Sequence, residues 1–414
     1  MQKGRWLRFA ALVLAVAAWP VAVASRAAIG DQAGSVVLSV ELPDQPTAGA
    51  RLFVQKNCVK CHSLGQPSPV GPDLGRMLFS GTMLDLAGAF WNHAPVMREK
   101  MRDMKIQPPT ISSGEMADLA AFLTAYRYYL TEIGKPGNAT AGARVFAVKG
   151  CVRCHDESST NWFKVGPGLQ RYRGRFSSIF LAQAMWNHGP EMARAMRASG
   201  VPWPQFSGQE MNDLLAYLQA DSVGTNRERV YFEPGSPRRG RDLFASKQCR
   251  TCHSIAGIGG HGGPDLARPQ ELVRSVSEIA GLMWNHSQAM IAEFQRRGIP
   301  RVTFSGPEMA DIIAYLYFLN YATVRGTPAH GKEIFDRNCG VCHSIGGGAR
   351  VGPDLAALPG LDEPFAVLSA MWNHAAGMEQ QMRARAQTWP RFAPGDSADL
   401  VAYLLAERAK HPTH

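Results

Sequence analysis

The sequence predicts an all-α protein built from four small helical modules in tandem. A five-residue stretch that begins at Cys58 recurs three times, and its first cysteines lie 93, 98 and 90 residues apart in the 414-residue chain. Around every copy, the same amphipathic segments follow in the same order, with apolar residues at helical spacing. This self-similarity indicates one structural unit used four times.

The residues before the first module carry a targeting pattern. Basic residues Lys3, Arg5 and Arg8 precede an apolar run that ends in small residues. Residues 1–24 are therefore predicted to be a secretory signal peptide, and an uncleaved membrane anchor is the alternative. Residues 25–45 are predicted to be a tether. The protein is expected in the periplasm or another extracytoplasmic compartment, either released or held at the membrane by an uncleaved N-terminus.

Each module opens with a helix in which Gly and Phe stand four residues apart, and hence on one face. The pairs are Gly49 and Phe53, Gly142 and Phe146, Gly240 and Phe244, and Gly331 and Phe335. A Gly-Pro turn, a helix containing Trp-Asn-His and a closing amphipathic helix follow. The predicted modules span residues 46–135, 138–224, 236–324 and 327–410. Because tandem repeats contact mainly their neighbours, we expect the modules to lie in chain order.

The recurring stretch has the form Cys-x-x-Cys-His, and its four copies use all eight cysteines. They are Cys58, Cys61 and His62; Cys151, Cys154 and His155; Cys249, Cys252 and His253; and Cys339, Cys342 and His343. This spacing is typical of c-type haem attachment, in which two thiols bond the porphyrin and the adjoining histidine ligates the iron. Disulfides or zinc sites would leave the histidine without a role. Four covalent haems c are predicted.

The order of these segments resembles the class I cytochrome c domain, repeated over nearly all of the chain after residue 45. The resemblance implies that the first and last helices of each module cross through the glycine and an aromatic residue. Those aromatic residues are Phe122, Tyr217, Tyr315 and Tyr403. It also implies that a proline carbonyl accepts a hydrogen bond from each proximal histidine. The prolines are Pro72, Pro167, Pro264 and Pro353.

The sixth iron ligand departs from that family, which places a methionine in a Met-Pro-x-Phe loop before the last helix. The corresponding residues here are Pro108, Trp203, Arg301 and Trp389. If the four sites are alike, two ligand sets survive comparison of the copies. One is Met97, Met192, Met290 and Met378, favoured by analogy with the His/Met coordination of class I domains. The other is His93, His188, His286 and His374.

With methionine as the ligand, the remaining residues of the Trp-Asn-His motif need other roles. The histidine would then hold a propionate or cap a helix that begins near Pro95 or Pro190. The tryptophan would pack on the porphyrin. These tryptophans are Trp91, Trp186, Trp284 and Trp372.

These features predict an exported tetrahaem cytochrome that transfers single electrons between redox partner proteins, among them a membrane oxidoreductase complex, and that is not an enzyme. A peroxidase-like haem enzyme or gas-binding subunit with one five-coordinate haem is the alternative. The formal net charge is +10, but no basic run with interleaved aromatic residues stands apart from the modules. We therefore expect no nucleic-acid partner.

Overall fold

A computed structural model describes residues 36–39, 42, 45–68, 70–75, 82–134, 136–156, 165–169, 177–207, 209–220, 234–267, 275–348 and 350–411. The predicted signal peptide, residues 1–24, lies outside these ranges. Within them, no helix is both long enough and apolar enough to cross a membrane.

The described chain is mainly helical, and the same three-helix unit occurs four times. Module 1 contains α1 (Pro46–Gln55), α2 (Met83–Asp103) and α3 (Ser113–Gly134). Module 2 contains α4 (Ala139–Val148), α5 (Ser178–Ala198) and α6 (Glu210–Gln219). Module 3 contains α7 (Pro237–Ser246), α8 (Val276–Arg297) and α9 (Gly306–Ala322). Module 4 contains α10 (Pro328–Asn338), α11 (Pro364–Ala384) and α12 (Asp396–Lys410).

The first and last helices of each module cross at the predicted glycine. A Cβ atom added to Gly49 would overlap the backbone carbonyl of Asp118 and lie 2.7 Å from Cβ of Phe122. Gly142, Gly240 and Gly331 face their closing helices in the same way. The neighbouring aromatic rings also meet, with 5.8 Å between the centroids of Phe53 and Phe122. The predicted Gly-aromatic crossing is therefore confirmed in all four modules.

An aspartate on each closing helix fixes the start of the first helix. Its carboxylate accepts a hydrogen bond from the backbone N–H just before that helix, at distances between 2.6 and 3.3 Å. The pairs are Gln45 with Asp118, Asn138 with Asp213, Ser236 with Asp311, and Thr327 with Asp399. Since a helix N-terminus leaves backbone donors unsatisfied and attracts negative charge, each aspartate ties the two crossing helices together.

In module 4, the same aspartate also binds a histidine. Nδ1 of His330 lies 2.7 Å from Oδ2 of Asp399, and this hydrogen bond raises the pKa of His330 above its ordinary value. A raised folded-state pKa means that the pair stabilises module 4 below the pKa of the unfolded histidine, and that this contribution is lost as pH rises through the folded pKa.

We expect an NMR titration to show His330 losing its proton above the usual range. In Asp399→Asn, which keeps an oxygen for Thr327 N–H, the pKa should return toward ~6.5. An unchanged pKa in that variant would show that the aspartate is not the cause.

Two helix boundaries differ from the sequence predictions. Helix α2 runs without interruption through Pro95 and α5 through Pro190, so the prediction that helices begin at these prolines is wrong. Proline lacks an N–H but keeps a helical φ, and the carbonyl four residues earlier is left without its helical donor. At the start of α3, Ser112 and Glu115 exchange hydrogen bonds.

Two pairs of short strands accompany the helices of the described chain. In the predicted tether, β1 (Val36–Ser39) pairs antiparallel with β4 (Thr323–Gly326), which lies between modules 3 and 4. Strands β2 (Ser254–Ile255) and β3 (Ile258–Gly259) form a small hairpin after the third haem motif. Isolated pairs of this size contribute little stability by themselves.

The modules associate in two pairs that do not follow chain order. Helix α11 of module 4 packs on α2 and α3 of module 1, and α5 of module 2 packs on α8 and α9 of module 3. Helix α3 also contacts α8 and α9, which joins the two pairs through modules 1 and 3. The expectation of modules arranged in chain order is therefore wrong, because the first and last modules are in direct contact. We call 1 and 4, and 2 and 3, partner modules.

The Trp-Asn-His motif forms the contact between partner modules. In every module, the tryptophan Nε1 donates to a backbone carbonyl in the partner's loop before its closing helix. The four contacts are Trp91 to Pro390, Trp372 to Pro109, Trp186 to Val302 and Trp284 to Pro204, all between 2.7 and 2.9 Å. The asparagine makes two further bonds two residues along the same loop. For example, Asn92 donates to Phe392 O (2.8 Å) and accepts from Phe392 N–H (2.9 Å).

We call this reciprocal set of contacts the Trp-Asn clasp. The other asparagines repeat it: Asn373 with Ile111, Asn187 with Phe304, and Asn285 with Phe206. Because each partner offers the same residues to the other, each pair has the self-complementary character of a two-fold interface. The clasp depends on module sequence rather than on chain adjacency, which explains why modules 1 and 4 find each other.

Candidate haem sites

The Cys-x-x-Cys-His stretch folds as a tight turn directly after the first helix of each module. The residues Cys58–Lys60, Cys151–Arg153 and Cys249–Thr251 form single 3₁₀ turns. Each is preceded by a residue with positive φ, namely Asn57, Gly150 or Gln248. In module 4, α10 instead runs on to Asn338. In all four copies, the N–H of the histidine donates to the carbonyl of the first cysteine, at 2.8 to 3.0 Å. This turn brings both thiols and the imidazole to one side of the module.

Each motif histidine binds the carbonyl of the predicted proline. The Nδ1 atoms of His62, His155, His253 and His343 lie 3.0, 3.1, 3.0 and 2.9 Å from the carbonyl oxygens of Pro72, Pro167, Pro264 and Pro353. A carbonyl can only accept, so Nδ1 carries the proton and Nε2 keeps its lone pair. The predicted hydrogen bond is confirmed in every module, and it leaves each Nε2 able to bind a metal.

The glycine before each proline allows this approach. A Cβ added to Gly71 would lie 2.9 Å from Cε1 and from Nδ1 of His62, closer than real side chains pack. Gly166, Gly263 and Gly352 press against their own histidines in the same way. The Gly-Pro turn therefore holds the imidazole from two sides: glycine by contact and proline by hydrogen bonding.

Burial favours a neutral form of the first cysteine in each motif. Burial raises the pKa of the Cys58 thiol. It raises the pKa of Cys151 and Cys249 to about 11 and the pKa of Cys339 to about 12. None of the eight cysteines forms a disulfide bond. A thioether sulfur carries no charge, so attachment to a porphyrin removes the penalty that burial places on a thiolate.

In module 4, the motif opens into a cavity of about 380 Å³ with a mainly apolar lining. Cys339, Cys342 and His343 form one wall, and the α11 side chains Met371, His374 and Met378 form another. An apolar cleft with two thiols at its edge and one directed imidazole fits a covalently bound porphyrin iron. When bound, haem supplies a one-electron redox centre whose potential responds to its ligands and surroundings.

Comparison with known families supports this fit in modules 3 and 4. A family model described as cytochrome c matches residues 237–319 and 328–406. The C-terminal half of the chain contains two cytochrome c domains. Domains of this family hold covalently attached haem and are typically electron carriers. No curated protein and no solved structure matches the chain.

The histidine and the methionine of the central helix differ in burial. His93, His188, His286 and His374 are exposed, whereas Met97, Met192, Met290 and Met378 are half-buried. In the cytochrome c domain of module 4, both residues line the cavity, and Met378 packs against the buried cluster of Trp91, Ile334 and Phe392. Nδ1 of His374 binds the carbonyl of Ala370 within its own helix at 2.9 Å.

The loops that would carry the family's methionine are engaged in the Trp-Asn clasp. Their carbonyls and N–H groups bind the partner's tryptophan and asparagine, as Pro390 and Phe392 do in module 4. Trp91 lines the cavity of module 4 although it belongs to module 1, and the predicted contact between the motif tryptophans and a porphyrin stays a prediction.

Sequence reasoning missed the asparagines of the clasp and the aspartates that cap the first helices. Both sets carried a signal, because each residue recurs in all four copies at a fixed offset. The aspartate stands four residues before the aromatic residue of the crossing, as Asp118 does before Phe122. Recurrence in all four copies marks these residues as part of the repeating unit. The residues that they contact lie too far away in the chain to be identified from sequence spacing.

Proposed function

We propose that this protein is an exported tetrahaem c-type cytochrome that carries single electrons between redox partner proteins. The observation that carries the proposal is the fourfold repetition of one arrangement: two cysteines, and an imidazole whose Nδ1 donates to the carbonyl of a Gly-Pro turn. Modules 1 and 2 share it with the two cytochrome c domains. The proximal iron ligands are accordingly His62, His155, His253 and His343.

The haem count tests this proposal directly. Intact-mass measurement of the protein matured in a host that attaches haem c should show the mass of four haems, and pyridine haemochrome absorbance should give the same ratio. Four single Cys-pair variants, one in each module, should each lose one haem. A mass with only two haems would restrict the function to modules 3 and 4.

For the distal ligand, we infer methionine at all four sites: Met97, Met192, Met290 and Met378. The argument rests on burial, because a half-buried thioether is better placed inside an apolar cleft than an exposed imidazole. Met97, Met192 and Met378 also pack against buried apolar residues. The clasp supports a ligand from the central helix, since a loop whose backbone is bound by another module is not free to reach the iron. Thioether ligation would give higher potentials than a second imidazole.

Optical and low-temperature paramagnetic resonance spectra of the oxidised protein test the ligand. We expect four low-spin haems with the methionine-to-iron charge-transfer band at the red edge. Met378→Ala should remove about a quarter of that band, whereas His374→Ala should leave it intact. Low-spin haems that lack the band would assign the ligand to the histidines. A high-spin fraction in the unmodified protein would favour the haem-enzyme or gas-binding alternative.

Export is supported by the N-terminal targeting pattern and by the number of cysteines committed to haem attachment. Fractionation of cells that produce the full chain should place it outside the cytoplasm, and N-terminal mass analysis should show cleavage near Ala24. An intact N-terminus in the membrane fraction would establish the anchored form. Co-purification with a membrane oxidoreductase would identify one of the expected redox partners.

A further inference from the structure

The indole of Trp91 lies between two modules. Its helix, α2, belongs to module 1, but the side chain is 7% exposed and lines the cavity of module 4 together with His343 and Met378. The cavity that holds the fourth Cys-x-x-Cys-His motif therefore has a wall supplied by a different module.

Three contacts hold this indole in place. Nε1 donates to Pro390 O at 2.8 Å. The ring stacks on Trp389, with 4.1 Å between the centroids and 22° between the planes. Nε1 of Trp389 in turn donates to the carbonyl of Trp91 at 3.0 Å. That carbonyl lacks its helical donor because residue 95, four positions later, is proline. The interior proline thus has a use, since it frees an acceptor for the second indole.

The other pair repeats the carbonyl contact and the stack, but not the second indole hydrogen bond, since Nε1 of Trp203 is buried without a hydrogen-bond partner. Trp284 of module 3 donates to Pro204 O of module 2 and stacks on Trp203, with 3.9 Å between the centroids and 15° between the planes. Trp372 of module 4 and Trp186 of module 2 make the same carbonyl contact with modules 1 and 3. Neither stacks on a second indole, because Pro108 and Arg301 stand where the other loops have Trp389 and Trp203. Each pair therefore contains two clasping tryptophans and one stack.

We propose that the tryptophan of each Trp-Asn-His motif is a wall of the haem site in the partner module, so that sites 1 and 4, and sites 2 and 3, are completed by each other. The inference rests on the proposed function, because it requires a haem at each motif. A buried indole beside the site excludes water and helps set both ligand access and redox potential, in the way that groups around a metal site generally do. Trp91 and its counterparts are positioning residues rather than ligands.

The test uses the full-length holoprotein with site 4 opened by Met378→Leu and His374→Leu. Removing both ligand-capable side chains of the motif makes this iron accessible to carbon monoxide in the ferrous state, whichever of the two ligates it. Adding Trp91→Leu should raise the carbon monoxide association rate at this site several-fold and shift its potential. Adding Trp372→Leu, a change in module 4 whose indole serves site 1, should alter the values at site 4 much less than Trp91→Leu does.

Two further variants distinguish an indole that lines the haem site from one that only holds the two modules together. Trp91→Phe should restore part of the original rate, since it keeps an aromatic ring at the wall. Asn92→Ala weakens the same clasp but leaves the indole in place. Its carbon monoxide association rate should therefore stay near that of the protein that carries only Met378→Leu and His374→Leu. Equal effects of Trp91→Leu and Asn92→Ala, or an effect of Trp372→Leu instead, would overturn the proposal. If module 4 holds no haem, the opened protein will not bind carbon monoxide at this site. That outcome contradicts both this inference and the tetrahaem function. The intact mass identifies it, because one haem is then missing.

Discussion

Replacing Gly331 with valine is expected to prevent α10 from packing on α12 and so to destabilise module 4. The crossing of α10 and α12 leaves no room for a side chain, because a Cβ at this position would overlap the backbone carbonyl of Asp399 and lie 2.7 Å from Cβ of Tyr403. Backbone atoms cannot move aside as the end of a flexible side chain can. The cost should therefore equal or exceed the ~1–3 kcal/mol typical of an overpacked core.

Thermal unfolding followed by circular dichroism and by Soret absorbance checks this prediction. Gly331→Val should add an early transition in which the haem environment of module 4 is lost and that of its partner, module 1, is perturbed, while those of modules 2 and 3 persist. Gly114→Ala is a matched control in another helix, because a Cβ there meets nothing within 4 Å. That variant should be neutral or slightly stabilising, since alanine is a better helix former than glycine. A normal unfolding profile for Gly331→Val would contradict the tight crossing.

The crossing and the hydrogen bond from each motif histidine to a proline carbonyl could be predicted from sequence, because they depend on residues of one repeating unit. Gly49, Phe122 and His62 belong to patterns that recur in every module, and the resemblance to class I domains supplied the geometry that joins them. The structure agrees at each of these points. Repetition is thus a strong guide to contacts inside a unit.

The contacts between units could not be predicted in the same way. The Trp-Asn-His motif suggested a role beside the haem of its own module, whereas Trp91 and Asn92 bind residues 390 and 392, about three hundred positions away. A motif present in every copy is equally consistent with contacts inside a module and with contacts between identical modules. Only the spatial arrangement of the four copies distinguishes these cases, and it follows surface complementarity rather than chain order.

Removing the two asparagines that join modules 1 and 4 is expected to separate these modules. Asn92→Ala with Asn373→Ala deletes four hydrogen bonds to the backbone of Phe392 and Ile111. Both residues are largely buried, at 8% and 3% exposure. An orphaned buried donor or acceptor costs ~1–3 kcal/mol, which cannot be recovered while the modules stay in contact. The tryptophan hydrogen bonds of the clasp, the hydrogen bond from Ser369 Oγ to Ile111 O and the ion pair between Arg98 and Glu379 remain. None of them offers the N–H groups of Phe392 and Ile111 another acceptor.

Hydrogen exchange of the Ile111 and Phe392 amides measures this separation, because each amide is protected by an asparagine of the partner module. Their protection should fall by roughly one to two orders of magnitude in the double variant. Asn187→Ala with Asn285→Ala provides the matched control: it should expose the amides of Phe304 and Phe206 and leave Ile111 and Phe392 protected.

Loss of protection in both pairs from either double variant would mean that the four modules open as one unit. Unchanged protection would mean that the asparagines do not hold the pair. If each double variant acts only on its own pair, the protein consists of two separately stabilised pairs, and the haem sites within a pair depend on each other more than on their neighbours in sequence.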